Sequence, residues 1–184
     1  MNNEVTAESI IEFWFSDTIK PQWFKASKEL DKEIKEKYQH NWKSAIRGEY
    51  KHWKESAIGS LALVIIFDQF PLNMFRGEIE SFSTEAMAVK ITKHAIDNGF
   101  DKELEKHQLA FLYMPLMHSE NINDQNLAVT LFEKAGLKEN LRFAKHHRDI
   151  VQQFGRFPHR NKILQRESSQ LELDYLNSDN AFTG

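Results

Sequence analysis

The residues able to do chemistry are histidines, arginines and carboxylates, and they gather in three short segments. The first holds Asp68, Gln69, Asn73 and Arg76 and follows directly on the most apolar stretch of the chain. The second is His118 with Glu120. The third runs from His146 to Arg166 and holds His147, Arg148, Asp149, Arg156, His159, Arg160, Asn161 and Arg166. Imidazole beside carboxylate suits proton transfer near neutral pH or a borderline metal such as zinc, iron or manganese. His118, Glu120, His146, His147, Asp149 and His159 would supply such a site, and His146 and Asp149, three apart, would share a helix face. The chain has no HExxH and no pair of ExxH motifs, so no metal is assigned. A glycine-rich phosphate loop is also missing, as is a glycine elbow around Ser56, Ser60 or Ser119, and no cofactor is expected. An enzyme would then rest on His118, Glu120, His147 and Asp149, acting on a phosphate- or carboxylate-bearing substrate. The same histidines also suit helix C-termini, where positive charge opposes the dipole.

The arginines point to binding. Arg148, Arg156, His159, Arg160 and Arg166 flank a Gly-Phe-Pro turn, and the planar guanidinium holds carboxylate or phosphate with two parallel bonds. Phe154 and Phe157 could stack on a ring. Equally, these arginines could pair with carboxylates on neighbouring helices and bind nothing. Asp68 is expected near a helix end, where a carboxylate faces the negative pole of the dipole and needs a partner. Arg76, Arg148 or Arg160 could provide one, which would join the two Phe-Pro segments at Pro71 and Pro158. Asn73 and Arg76 could instead satisfy carbonyls left open at that helix end.

The elements that position these groups read as helices throughout. Only 4 prolines and 7 glycines punctuate 184 residues, and no stretch sustains a two-residue alternation. Thr6 caps a first helix, and Pro21 marks a turn. A second helix starts at Ser27 or Asp31 and stops at Gly48, with Leu30, Ile34, Tyr38, Trp42 and Ala45 on one face. A third begins at Ser56, is apolar nearly all round, and should end at Phe70 because the following proline disfavours helical geometry there. A fourth runs from Ser83 or Thr84 to Gly99, and a fifth from Lys102 to Leu116, interrupted near Pro115. A sixth starts at Asp124 and stops at Gly136, a seventh covers Lys138 to Phe154, and Ser168 or Ser169 caps the last. Phe13, Trp14, Phe15, Trp23, Phe24, Trp42 and Trp53 should be core. The expected fold is all-α: a single domain over residues 1–184 of seven to eight antiparallel helices, ordered from about 5 to 177, with 178–184 frayed.

Cysteine is absent, which excludes disulfides, thiolate metal sites and a cysteine nucleophile, and fits a cytosolic setting. The longest apolar run, Leu61 to Phe67, is far short of the roughly 20 residues of a membrane span. Net charge is −3, which argues against nucleic acid as the main partner. The charge is uneven, however: Lys138 to Glu167 carries +5 and the remainder −8. That polarity favours a small anion, an acidic peptide or another protein as partner.

Four segments together carry a resemblance: IIEFWF near the start, SLALVIIFDQFPLNMFRG, FLYMPLMHSE, and HHRDIVQQFGRFPHRNKILQRES. Spread from Ile10 to about Ser168, they resemble the bacterial family catalogued as domain of unknown function 924. The resemblance implies an all-α fold of stacked helix pairs, similar to the tetratricopeptide-like superfamily, and implies no activity. Two positions depart from the family pattern: Leu72, where members often carry arginine, and Gln165, where they often carry glycine.

Overall fold

Capping chemistry sets most helix boundaries in the computed structural model, which describes residues 5–182. Helix α1 (Ala7–Trp14) is closed by a capping box between Thr6 and Ser9, and α2 (Lys28–Ile46) by the Ser27 hydroxyl. Ser56 caps α3, which runs on to Met74. Next come α4 (Glu85–Asp97), α5 (Lys106–His118), α6 (Ile122–Lys134) and α7 (Lys138–Phe154). The last, α8 (Gln170–Leu176), opens with a capping box between Ser169 and Glu172. These eight helices make one all-α domain, with no strand among the described residues. Short 3₁₀ turns, including Lys51–Glu55 and Pro158–Arg160, connect them.

Helix α3 is the axis of the domain and packs against α1, α2, α4 and α5. It is long and apolar enough to cross a membrane, yet 83% of it is buried inside the protein by its neighbours. From α4 to α7 each helix packs on the next, as short connections require, while α8 packs on the turn Pro158–Arg160. The main core fills the space around α3, while Ile150, Val151 and Phe157 form a second, smaller core with Phe154, Tyr175 and Phe182.

Three expectations about helix ends are corrected. Proline does not end α3 at Phe70. A π-turn over Ile65–Gln69 carries the helix through Pro71, with the Phe70 amide reaching back to the Ile65 carbonyl. Pro71 has no N–H for the Phe67 carbonyl four residues earlier, and the Thr84 hydroxyl donates to it instead at 2.7 Å. Thr84 also accepts from the Trp42 indole at 3.2 Å, so it stands at the start of α4 without capping it. Thr84→Val is expected to lower stability by about 1–3 kcal/mol, because it strands a buried carbonyl and a buried indole N–H; urea unfolding measures this. Pro115 likewise does not interrupt α5, which passes through it in its last turn and begins at Lys106, later than expected. Helix α6 starts from Asn121 rather than Asp124.

Most of the aromatic series is buried or partly buried, but Phe24 is 76% exposed. The tail differs from expectation too. Beyond α8 the chain turns back, the Phe182 amide donates to the Tyr175 hydroxyl at 2.9 Å, and the Phe182 ring joins the second core. Residues 183–184 lie outside the described residues.

Candidate functional site

Four elements end at one polar junction. The π-turn of α3 brings Asp68 and Gln69, the first turn of α4 brings Glu85, and the last residue of α5 is His118. The turn Pro158–Arg160 closes the fourth side. The Asp68 side chain is only 3% exposed, and both of its oxygens face His118 Nδ1, at 2.9 and 3.1 Å. Gln69 Nε2 donates to the same carboxylate at 2.6 Å. The proton on Nδ1 is thereby fixed, and Nε2 of His118 has no partner among the described residues.

His118 is anchored from its backbone as well. Arg160 Nη2 donates to the His118 carbonyl at 2.9 Å, and Gln125 Nε2 donates to the Met117 and Ser119 carbonyls at 2.7 Å each. Three consecutive carbonyls at the end of α5 are thus tied down by side chains from other elements. Arg160 Nη1 pairs with Glu85 at 2.8 Å, and the guanidinium lies between the rings of Phe82 and Phe157, 4.6 Å from each centroid. Burial pushes the Glu85 carboxyl above the usual range, although Arg160 and His118 pull the other way. Burial opposes charge on His118, yet the adjacent Asp68 carboxylate prevails and its pKa is raised. Because its folded pKa lies above its unfolded one, protonated His118 stabilises the fold fully below the unfolded pKa. That contribution is lost as pH rises through the folded value.

The remaining arginines of the third segment are occupied by carboxylates. Arg156 forms two parallel bonds with Glu172, at 2.7 and 2.8 Å, and Arg166 does the same with Glu120, at 2.6 and 2.9 Å. Asn161 ties the two pairs together: it accepts from Arg166 Nε at 3.0 Å and donates to Glu172 at 3.3 Å. Arg156, with the Ser169 amide and Asn161, holds the Glu172 carboxyl down to about 2. Glu120 also accepts from the Phe157 amide at 2.8 Å. Gln165 precedes this network with φ of 54°, the left-handed region that glycine enters without steric cost.

The structure therefore brings Asp68, Gln69, His118, Arg160 and, one turn away, Glu120, Arg166 and Asn161 into one region. Other sequence candidates fall outside it. Asp68 pairs with His118 rather than with any of the three arginines expected, because Arg76 is taken by Asp31 and Arg148 by Asp149. The two Phe-Pro segments are joined through His118, whose side chain meets one and whose carbonyl meets the other. Asn73 donates to the Gln69 carbonyl inside α3 and accepts from Arg76, whose other bonds go to the Asp31 carboxylate and not to a helix-end carbonyl. The quartet His118, Glu120, His147 and Asp149 does not converge. Glu120 belongs to Arg166, Asp149 is an exposed partner of Arg148, and His147 Nδ1 donates to the Phe143 carbonyl at 2.8 Å. Among the described residues no group of three or more histidines and carboxylates is arranged to hold a metal.

Sequence reasoning missed Glu85, Gln125 and Glu172. Glu172 had a local signal, the Ser169-to-Glu172 capping spacing. Glu85 and Gln125 are ordinary helix residues in sequence, and only packing gives them their partners.

Fold and site together define an all-helical domain with a histidine–carboxylate–arginine junction at the meeting of its helix ends. The chain belongs to the family described as "Bacterial protein of unknown function (DUF924)", whose model matches residues 10–180. It is similar to a solved structure of a protein of unknown function, ATU0120 from Agrobacterium tumefaciens. The two are 37% identical with a TM-score of 0.88, over 93% of this chain and 96% of that one. No curated protein matches the chain.

Proposed function

We propose that this chain is a cytosolic helical binding protein whose site is the junction centred on His118, and that its ligand presents a phosphate or carboxylate oxygen. One observation carries the reading: a buried carboxylate, Asp68, is committed to His118 Nδ1, and the opposite nitrogen has no partner among the described residues. Asp68 favours the protonated imidazole, which makes Nε2 a donor for an anionic group. The supports on the carbonyls around His118 hold that donor in one place before any ligand arrives.

Inorganic phosphate and acetate are the simplest probes. At a concentration a hundredfold above its Kd, a ligand that binds only the folded state adds about 2.7 kcal/mol. For a chain of this size that raises the melting temperature by roughly 5–10 °C. His118→Gln should abolish the shift, and it should also lower the unliganded melting temperature wherever His118 is protonated, because the buried Asp68 carboxylate loses its charged partner. Absence of any shift in the unmutated protein across both anions would sink the proposal. The same geometry also favours a second reading, in which His118 is an acid–base catalyst and Asp68 its positioning residue. Turnover of an aryl phosphate or ester that disappears in His118→Gln separates catalysis from binding.

A further inference from the structure

The C-terminal segment places an aromatic ring where a ligand's ring could sit. Phe182 meets three imidazoles edge-on: His147 at 4.5 Å between centroids, His159 at 5.1 Å and His146 at 6.0 Å. His147 and His159 rest in turn on Phe157, at 5.4 and 5.6 Å, and the Arg160 guanidinium lies over the same ring. This cleft adjoins the junction, because its floor is the turn that ends in Arg160.

Two buried polar atoms there have no partner among the described residues: Nδ1 of His159 and Nε of Arg160. Buried polar groups are almost always hydrogen-bonded, and an unpaired one carries a desolvation cost. The tail is turned back by bonds from the Ser178 amide to the Tyr175 carbonyl and from the Ala181 amide to the Ser178 carbonyl. One backbone hydrogen bond, from the Phe182 amide to Tyr175, and the ring contacts are what the structure shows between Phe182 and the body. Phe182 also lies just beyond the residues matched by the family, which end at 180.

We propose that this cleft is the aromatic-ring subsite of the binding site, that the ligand is an aryl-bearing anion, and that Phe182 occupies the subsite in cis as a displaceable strap. The ring of the ligand takes the place of the Phe182 ring against His147 and His159. Its acidic group reaches the donors of the neighbouring junction. This part of the proposal rests on the function proposed above; the cleft and its strap do not. The affinity seen in the intact chain is reduced by the fraction of molecules in which the strap is open.

Phenyl phosphate, inorganic phosphate and phenol are measured by calorimetry against the intact protein, Phe182→Ala, and a chain shortened after Asn177. Both variants should bind phenyl phosphate and phenol at least about tenfold more tightly than the intact protein, which is about 1.4 kcal/mol. Inorganic phosphate should bind all three alike. Removing the ring should also release two histidines. Burial now holds His147 down to about 3 and His159 to about 4, and NMR titration should find both moved up toward the ordinary range. Equal affinity for phenyl phosphate in all three proteins, or histidine titrations unchanged by Phe182→Ala, overturns the strap. A gain that is the same for inorganic phosphate as for phenyl phosphate overturns the ring subsite. Phenol binding that improves while no anion binds any of the three keeps the cleft and defeats the anion-binding function.

Discussion

Arg160→Ala should lower unfolding stability by about 3–5 kcal/mol, the cost of leaving a largely buried charge without its partner. The arginine side chain is 8% exposed and makes three kinds of contact that no neighbour replaces. It neutralises Glu85 at 2.8 Å, closes the His118 carbonyl at 2.9 Å, and fills the gap between Phe82 and Phe157. The loss should depend on pH, and the sign follows from Glu85. Burial already raises its carboxyl above the usual range, and Arg160 is what restrains that rise. Without the guanidinium the folded pKa climbs further, so the folded state holds a proton that the unfolded state has released. Stability then falls as pH increases from the unfolded value of Glu85 through the folded one. The variant should therefore be closest to the unmutated protein in acid and furthest from it near neutrality. Arg160→Lys restores a charge for Glu85 but not the fork that reaches the His118 carbonyl as well, and should fall between the two. Denaturant unfolding at acid and neutral pH measures all of this. A loss that does not change with pH would remove Glu85 from the account.

Gly59→Ala should also destabilise strongly, by about 3 kcal/mol or more, although propensity alone points the other way. Glycine within a helix costs about 1 kcal/mol relative to alanine, so the substitution reads from sequence as stabilising. In the fold a Cβ at position 59 would lie 2.0 Å from the Trp53 carbonyl oxygen, 2.7 Å from its carbon and 2.8 Å from Ser56 Oγ. Two of those atoms are backbone, and the turn Lys51–Glu55 that carries them packs directly on α3. Relief requires the turn to lift, which would also withdraw Trp53, stacked on Tyr50 at 4.5 Å. Overpacking of this kind typically costs 1–3 kcal/mol when side chains can yield, and more when backbone must move. A thermal midpoint equal to or above that of the unmutated protein would show that the turn is free to shift.

The two substitutions mark a boundary between what this chain determines locally and what it does not. Helix starts were readable because capping is a contact between residues three apart, so Thr6, Ser27, Ser56 and Ser169 announce themselves. Stops at Gly48, Gly99, Gly136 and Gly155 were readable because all four adopt positive φ, which other residues avoid. The three polar segments whose residues meet at the junction were also visible. The partners within that place were not. Which arginine meets which carboxylate depends on distances set by packing: Glu120 to Arg166 spans 46 residues and Arg160 to Glu85 spans 75. The passage of α3 through Pro71 was hidden for the same reason, since the group that replaces the missing N–H is Thr84, 17 residues downstream. Sequence by itself thus determined the helices and the apolar axis, because these follow from propensity, capping and periodicity over a few residues. Only the tertiary structure decided that His118, and not an arginine, is the partner of Asp68. A buried carboxylate takes whichever donor the packed helices bring within hydrogen-bond reach, and here α5 ends on it.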